Sequence, residues 1–390
     1  MNRRVFLLGT GGTWLAQAAP SDQIRMGIIG PGGRGQFLMK TFAEVGAVQF
    51  GAVCDVYEPN LEAGLSIAKG QAKAYRQYKA LLDDKDIQAV IIATPEHWHH
   101  QMLLDAMSAG KDVYVEKPLC HTPEQGVRLM KAARTSRSIV QVGMQRRSYE
   151  LYLKARDIRA SGTLGTVRLV RTWWVNNSLR QNASEKLQGP LDWEQWQGPA
   201  PRRPFDPDRF RNWRSYKDYS GGIVADQGAH IYDSIHLIGG VGFPKAVIAS
   251  SGPVHNPKVD TPETVMVSAE YPSDFVGVFT INYAGMHYPT RMDQLNQYDG
   301  DEARMDVGRE FVHVYRQSEP EKAAVSATGS FTAATDAHIK NFLDCVVSRK
   351  EPNATIQKGF QAALVIQMAN LSLETGRRVR WDNQAQRVEV

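Results

Sequence analysis

Gly30, Gly32 and Gly35 stand directly behind an apolar run, Met26 to Ile29, and their G-x-G-x-x-G spacing constrains the chain more than any other stretch. An apolar strand that turns over three glycines into a helix is the phosphate-binding turn of a dinucleotide fold. Gly30 permits the tight turn, Gly32 lets a pyrophosphate approach the backbone, and Gly35 lets the helix pack close to the sheet. Gly33 and Arg34 complete the turn, where N–H groups at the helix start face the phosphates. Glycine-rich turns are common, so the motif takes its meaning from the elements behind it.

Strand and helix alternate from Phe37 to about residue 150. Phe37 to Val45 predicts a helix and Val48 to Cys54 a second strand, with Asp55 at its end. An acidic side chain there binds both ribose hydroxyls and repels a 2′-phosphate, which favours NAD over NADP. Asp55 is also placed to cap a helix behind Tyr57-Glu58-Pro59, and the two roles are compatible. Ala89 to Ala93 is continuously apolar, as in a parallel strand buried on both faces. It ends in Thr94-Pro95, and a helix runs from Glu96 through Ala109. Asp112 to Val115 is the next strand, ending in Glu116-Lys117-Pro118, with a capping box at Thr122 to Gln125 behind it. Ile139 to Val142 then leads to Gly143-Met144-Gln145-Arg146-Arg147. Polar residues thus end every strand (Gly30, Asp55, Thr94, Lys117, Gln145), and that edge is where a doubly wound sheet binds ligands.

His97, His99 and His100 invite a metal reading, and Glu96 with His99 has E-x-x-H spacing. The other such pair, Glu310 and His313, lies in a β-like run, where residues three apart point to opposite faces. No metal site is expected. Cys54, Cys120 and Cys345 lie far apart among apolar neighbours and read as buried, inert thiols.

Beyond residue 150 the pattern changes. Leu151 to Ala160 is helical, Gly162 to Gly165 breaks the chain, and Thr166 to Val175 alternates as a strand. Ala246–Ser250, Thr264–Tyr271, Val276–Tyr283 and Glu310–Tyr315 repeat that alternation without long helices between them. An open, mainly antiparallel sheet is expected, with a dinucleotide domain over 22–150 and an α+β domain over 151–390. Amphipathic helices at Ala337–Val347 and Gly359–Leu373 return towards the first domain. The insertion from Asn176 to Ser220 is rich in tryptophan and arginine, which suits either sugar stacking or a satellite core beneath the loop. After it, Gly221-Gly222 leads into a helical stretch in which Asp226 and His230, four apart, share one face.

Gly30-x-Gly32-x-x-Gly35, Asp55, Ala93-Thr94-Pro95 with His99, and Glu116-Lys117-Pro118 resemble, in order, the Gfo/Idh/MocA family of glucose-fructose oxidoreductase and inositol dehydrogenase. Asp226-x-x-x-His230 behind its glycines matches the family's second-domain motif, and the resemblance covers about residues 22–380. It implies an α/β N-terminal Rossmann domain and a C-terminal α+β domain with an open, mainly antiparallel sheet. It implies an NAD-dependent oxidoreductase acting on a secondary hydroxyl of a sugar, polyol or glycoside. Lys117, Asp226 and His230 would be catalytic: His230 the base, Asp226 its orienting partner, Lys117 on the reacting oxygen. Gly30, Gly32, Gly33, Arg34, Gly35, Asp55, Thr94, Pro95, His99, Glu116, Lys117 and Gln145 would hold NAD. Arg146, Trp173, Arg214 and Tyr216 would join Asp226 and His230 around the substrate. A homo-oligomer, dimer or tetramer, is also implied. The alternatives are an NAD-recycling glycosidase (oxidation, elimination, water addition, re-reduction) and a non-catalytic sugar- or nucleotide-binding protein. The complete Lys/Asp/His set argues against the latter.

Composition limits the partners. The chain is 42% hydrophobic and 22% charged, as in a soluble globular protein. Its formal net charge of +5 comes without a basic run, so nucleic acid is not indicated. Near the N-terminus, Arg3-Arg4, a short apolar segment and Ala16-Gln17-Ala18 read as a twin-arginine signal peptide over residues 1–19. The apolar stretch Val5 to Ala16 is too short to span a bilayer. Export to the periplasm is expected, a frayed tail on a cytoplasmic enzyme being the alternative. Where no NAD pool exists, an exported enzyme has to keep its nucleotide through the catalytic cycle.

Overall fold

A computed structural model describes residues 23–176, 186–254, 256–272, 275–286 and 293–390. The leader expected over residues 1–19 and part of the long insertion lie outside these residues. Strand β1 (Ile24–Ile29) is the pivot of the first domain. Met26 and Ile28 are fully buried and Ile29 nearly so, because helices cover both faces of the sheet. Helix α1 (Gly33–Val45), β2 (Val48–Cys54), α2 (Glu58–Ile67), β3 (Lys73–Tyr75), α3 (Tyr78–Asp83) and β4 (Ala89–Ile92) follow. Helix α4 (Glu96–Ser108), β5 (Asp112–Val115), α5 (Pro123–Ala133) and β6 (Val140–Val142) complete the unit. The sheet is entirely parallel in the order β3-β2-β1-β4-β5-β6. Strand order reverses between β1 and β4, which opens a crevice at their carboxyl ends. Helix α1 begins four residues before the expected Phe37, because its first turn, Gly33 to Gln36, carries no apolar side chain to mark the helical period. The capping box on α5 is formed, with Thr122 Oγ1 accepting from the Gln125 N–H at 3.3 Å.

A 3-10 turn (Gln145–Ser148) and α6 (Glu150–Ala160) lead to β7 (Val167–Val175). Within the insertion are two short helices, α7 (Trp193–Gln197) and α8 (Pro207–Arg211). Helix α9 (Gly222–Gly239) precedes β8 (Ala246–Ser251), β9 (Thr264–Glu270) and β10 (Val276–Asn282). Then come β11 (Gln294–Gly300), β12 (Ala303–Val307), β13 (Phe311–Arg316), β14 (Glu319–Thr328), α10 (Thr332–Ser348), α11 (Ile356–Thr375), β15 (Val379–Asp382) and β16 (Arg387–Glu389). The ten-stranded sheet runs β14-β13-β12-β11-β7-β10-β9-β8-β15-β16. Among the described residues only its β7–β10 pair is parallel. The fold class is therefore the expected one: a Rossmann domain followed by an α+β domain with a mainly antiparallel sheet.

Several strands escape the sequence pattern. Gln294 and Asn296 of β11 are buried polar residues, so the inward face of that strand lacks apolar alternation. Short β3, β15 and β16 offer too few residues for a period to show. Alternation on β7 sends Val170 and Thr172 inward and leaves Arg171 exposed. Trp174 follows the inward set and packs on the core, whereas Trp173 alternates onto the other face with Arg171 and is not among the described residues that line the cleft. The expected substrate contact at Trp173 is corrected on that ground.

Helix α10 lies against α1, with Phe342 in edge contact with Phe42 and Tyr114 at 6.0 and 5.8 Å between ring centroids. Helix α11 packs on α5, α9 and β8. The last two helices thus bridge the domains and hold α9 against the strand ends of the first sheet. Among the described residues, no helix is long and apolar enough to cross a membrane.

Candidate active site

At the crevice lies a cleft of about 760 Å³, within the range of cofactor and substrate pockets. Its glycines divide by role. Gly30 has φ +85°, and a Cβ there would sit 2.9 Å from the Thr94 backbone nitrogen. A Cβ on Gly35 would fall 2.4 Å from the Gly30 carbonyl oxygen, so this glycine serves helix packing and does not line the cleft. Gly32 is different: among the described residues its Cβ would meet only Asn60, at 3.8 Å, and that of Gly33 would meet nothing within 4 Å. Protein packing does not require glycine at those two positions, and both face the cleft. No side chain caps the N-terminus of α1. An open backbone before uncapped helix N–H groups fits a pyrophosphate.

Asp55 ends β2 and lines the same cleft. Its carboxylate accepts from the Tyr57 N–H at 2.9 Å and from Asn60 Nδ2 at 3.2 Å. Tyr57, not Asp55, occupies the N-cap position of α2, so the aspartate braces the turn before the helix. Burial pushes its carboxyl up to about 6, with these donors opposing.

In the middle of the cleft, His99 places its ring nitrogens 2.9 Å from the Thr94 carbonyl and 2.7 Å from the Pro118 carbonyl. It ties the end of β4 to the segment carrying Lys117, whose peptide bond to Pro118 is cis. Pro95 lines the adjoining wall. Arg34 Nε donates to Glu116 Oε1 at 2.7 Å. Burial alone would raise the Glu116 carboxyl, but Arg34 and Lys117 outweigh it and hold the group below its ordinary value. Gln145 presents a buried Oε1 with no donor among the described residues, an acceptor suited to a nicotinamide carboxamide.

The reaction end is built from both domains. Lys117 Nζ donates to the Asp226 carbonyl at 2.6 Å and to its Oδ1 at 3.3 Å. Arg214 Nε reaches the same Oδ1 at 3.3 Å, and Oδ2 accepts from Gln227 Nε2 at 3.1 Å and Tyr283 OH at 3.2 Å. Burial would raise the Asp226 carboxyl; Lys117 and Arg214 reverse that and hold it well below the carboxylate range. His230 stands one turn further along α9. Burial pushes its pKa well down, and Lys117, Arg146 and Arg34 push the same way against Asp226. The ring is neutral at pH 7. Its Nδ1 is enclosed and has no partner among the described residues, which leaves Nε2 for the cleft.

Three expectations change here. Asp226 makes no hydrogen bond to His230; its carboxylate turns to Lys117 and Arg214, so it orients the lysine and not the imidazole. Arg146 is 1% exposed and lies behind His230, bonded to Gln294 and, at 3.3 Å, to Ser234, whose hydroxyl donates to the His230 carbonyl at 2.6 Å. The rings of Tyr152 and Trp174 flank its guanidinium, which cannot touch a substrate in the cleft. Tyr216 is buried in a satellite core with Trp196 and Tyr219, and its hydroxyl donates to Asp208 at 2.7 Å. Arg214 alone of these added substrate residues lines the cleft.

The insertion is both core and wall. The Asp192 N–H donates to the Val56 carbonyl at 2.9 Å and the Glu58 N–H to the Pro190 carbonyl at 3.0 Å, beside Asp55. On the other side, Trp98 Nε1 donates to the Trp196 carbonyl at 2.8 Å. Trp196, with Phe210 and Trp213 packed against its satellite core, also lines the cleft beside Arg214. Tyr283 and Gln227 do not stand out in the sequence, since an isolated polar side chain carries no local signal, whereas Phe210 belongs to the arginine- and aromatic-rich run Arg209 to Arg214.

Residues 24–144 match an oxidoreductase family (Gfo/Idh/MocA) described by its NAD-binding Rossmann fold, and residues 193–380 match the same family's C-terminal alpha/beta domain. The chain belongs to the Gfo/Idh/MocA oxidoreductase family. NAD is the nucleotide of this family's first domain, and the cleft just described fits it. The inositol 2-dehydrogenase of Salmonella typhimurium is 32% identical over 157 residues, 40% of this chain and 47% of that protein. The chain thus aligns with about half the length of such curated relatives. An uncharacterized oxidoreductase of Synechocystis is 24% identical over 276 residues, 67% of each chain. Levoglucosan dehydrogenase, solved with NADH and levoglucosan, superposes with a TM-score of 0.73 at 18% identity, covering 92% of this chain and 99% of that one. The myo-inositol 2-dehydrogenase of Lactobacillus plantarum gives 0.71 at 20% identity, covering 92% and 99%. At those identities the superpositions establish the fold.

Proposed function

We propose that this family member oxidises a secondary hydroxyl of a sugar, polyol or glycoside with NAD. The observation that carries the reading is Lys117, an ionised Asp226 and a neutral His230 brought together at one end of the nucleotide cleft. A carbinol carbon gives up hydride readily only if its hydroxyl proton leaves as well, which takes a base and a cation for the developing alkoxide. When bound, the nicotinamide of NAD supplies the hydride acceptor. His230 takes the hydroxyl proton at Nε2. Lys117 donates to the same oxygen, and Asp226 keeps the ammonium group in position. Arg146, through Ser234 and the His230 carbonyl, fixes the turn of α9 that carries the base. Relatives named for inositol and levoglucosan support a cyclic polyhydroxylated substrate. The insertion, bonded on both sides of the cleft, supports a nucleotide retained from one turnover to the next. With the twin-arginine leader, that retention fits an exported enzyme.

The test is to purify the full chain, identify bound nucleotide by mass, and incubate it with sugars, polyols and aryl glycosides. NADH or ketosugar accumulating supports net oxidation. Free aglycone without net NADH favours the redox-assisted glycosidase, and neither product over a broad panel favours a binding protein.

A further inference from the structure

We propose that Arg214 selects substrates bearing a carboxylate, so that the preferred substrate is a sugar acid and not a neutral sugar or polyol. This rests on the oxidoreductase reading of the same site and names its substrate class.

Arg214 comes from the insertion, and its side chain is 46% exposed although it reaches Asp226 at the reaction end. Its guanidinium lies over the Trp213 ring, 4.2 Å from the centroid, which sets the plane of its donors. Only Nε has a hydrogen-bond partner among the described residues, and it shares Asp226 Oδ1 with Lys117. Both terminal nitrogens are left, in the fork geometry that a carboxylate fits with two parallel bonds.

The neighbouring carboxylates are already engaged. Glu116 is held by Arg34, and Glu96 accepts from Ser220 Oγ and the Gly221 N–H at 3.0 Å each. Behind His230, the buried Arg146 has Gln294 and Ser234 as partners and, among the described residues, no carboxylate in ion-pair contact. At the reaction end two cations, Lys117 and Arg214, thus share one carboxylate oxygen of Asp226, which leaves positive charge on the cleft side. A carboxylate on the substrate would neutralise it where Arg214 stands, whereas a neutral hydroxyl would gain only an ordinary hydrogen bond. Charge-assisted bonds are roughly twice as strong as neutral ones.

The experiment compares a panel of uronates and aldonates, each with its neutral counterpart, on the NAD-loaded full chain. Calorimetry reads binding, and NADH formation reads kcat/KM. The expected result is an acid-over-neutral preference of about tenfold or more, which falls to about one in Arg214→Gln and is partly kept in Arg214→Lys. Equal use of acids and neutral sugars, absence of binding by any acid, or an equal loss for both classes in Arg214→Gln would overturn the proposal. The two readings separate cleanly. Acids that bind selectively without turnover support the role of Arg214 and count against oxidation. Neutral sugars oxidised without any acid preference do the reverse.

Discussion

Lys117 Nζ donates to the main-chain carbonyl of Asp226 at 2.6 Å, across 109 residues of sequence and across the boundary between the two domains. A main-chain acceptor cannot be removed by changing a side chain, so the lysine stays anchored to α9 even when the carboxylate is altered. Asp226→Asn should therefore lower kcat/KM less than Lys117→Ala, which removes the donor to the developing alkoxide. About 10²-fold is expected for the first and about 10³-fold or more for the second. Steady-state kinetics, with NADH fluorescence to confirm that nucleotide still binds, checks the order.

His230 is held neutral by burial and by the cations around it. A protonated imidazole cannot accept a proton, so activity is lost as pH falls, and the depressed pKa moves that loss downwards. The acid limb of kcat/KM should lie clearly below the ordinary histidine value of about 6.5. It should move up towards that value in Arg146→Gln, which removes one of the cations. A limb at or above about 6.5 in the parent protein would contradict the assignment of His230 as base.

Asp55 has the opposite sign. Its folded carboxyl is raised to about 6, so it is protonated in weak acid and ionised above that pH. The carboxylate is the better acceptor for ribose hydroxyls, so NAD binding should strengthen as pH rises through about 6 and then level off. Asp55→Asn keeps the turn acceptor for Tyr57 but removes the charge. NAD affinity should fall about tenfold or more, and its pH dependence in this range should disappear. Titration by NADH fluorescence at several pH values measures both.

Gly32 and Gly35 should separate ligand binding from folding. At Gly35 a methyl group would meet the Gly30 carbonyl, whereas at Gly32 it would meet only Asn60 at 3.8 Å. Gly35→Ala should destabilise by about 1–3 kcal/mol. Gly32→Ala should leave the melting temperature of the nucleotide-free protein within about a degree while NAD affinity falls at least tenfold, since the methyl group enters space a pyrophosphate would fill. Thermal melts with and without NAD distinguish the two.

Gly198 tests the insertion. It has φ +50°, and a Cβ there would lie 2.0 Å from the Trp98 ring, where α7 docks on α4. Gly198→Ala should loosen that docking and raise the NADH dissociation rate at least tenfold in stopped-flow displacement. An unchanged rate would show that the insertion does not retain the nucleotide.

Legibility in the sequence follows the range of the interactions. Val48–Cys54 and Asp112–Val115 coincide with their predicted spans, because strands buried on both faces write continuous apolar runs into the chain. The buried Gln294 and Asn296 of β11 write no such pattern, and that strand is not legible without the fold. Arg146 and Tyr216 look like substrate residues because polar chemistry near a motif suggests contact. Each is buried, one behind the base and the other in the insertion's own core.

The sequence by itself determined the Rossmann turn, the order of the strand-end polar residues, the change of architecture in the second half, and the family. All of these rest on local backbone geometry, period and spacing. Tertiary structure decided which of those residues act together. The four-residue spacing of Asp226 and His230 suggests that they pair, yet the stronger attraction comes from Lys117 and Arg214, which reach Asp226 from a distant strand end and from the insertion. Helical spacing sets which side chains share a face, but the charges brought in by the rest of the fold set which way a carboxylate turns.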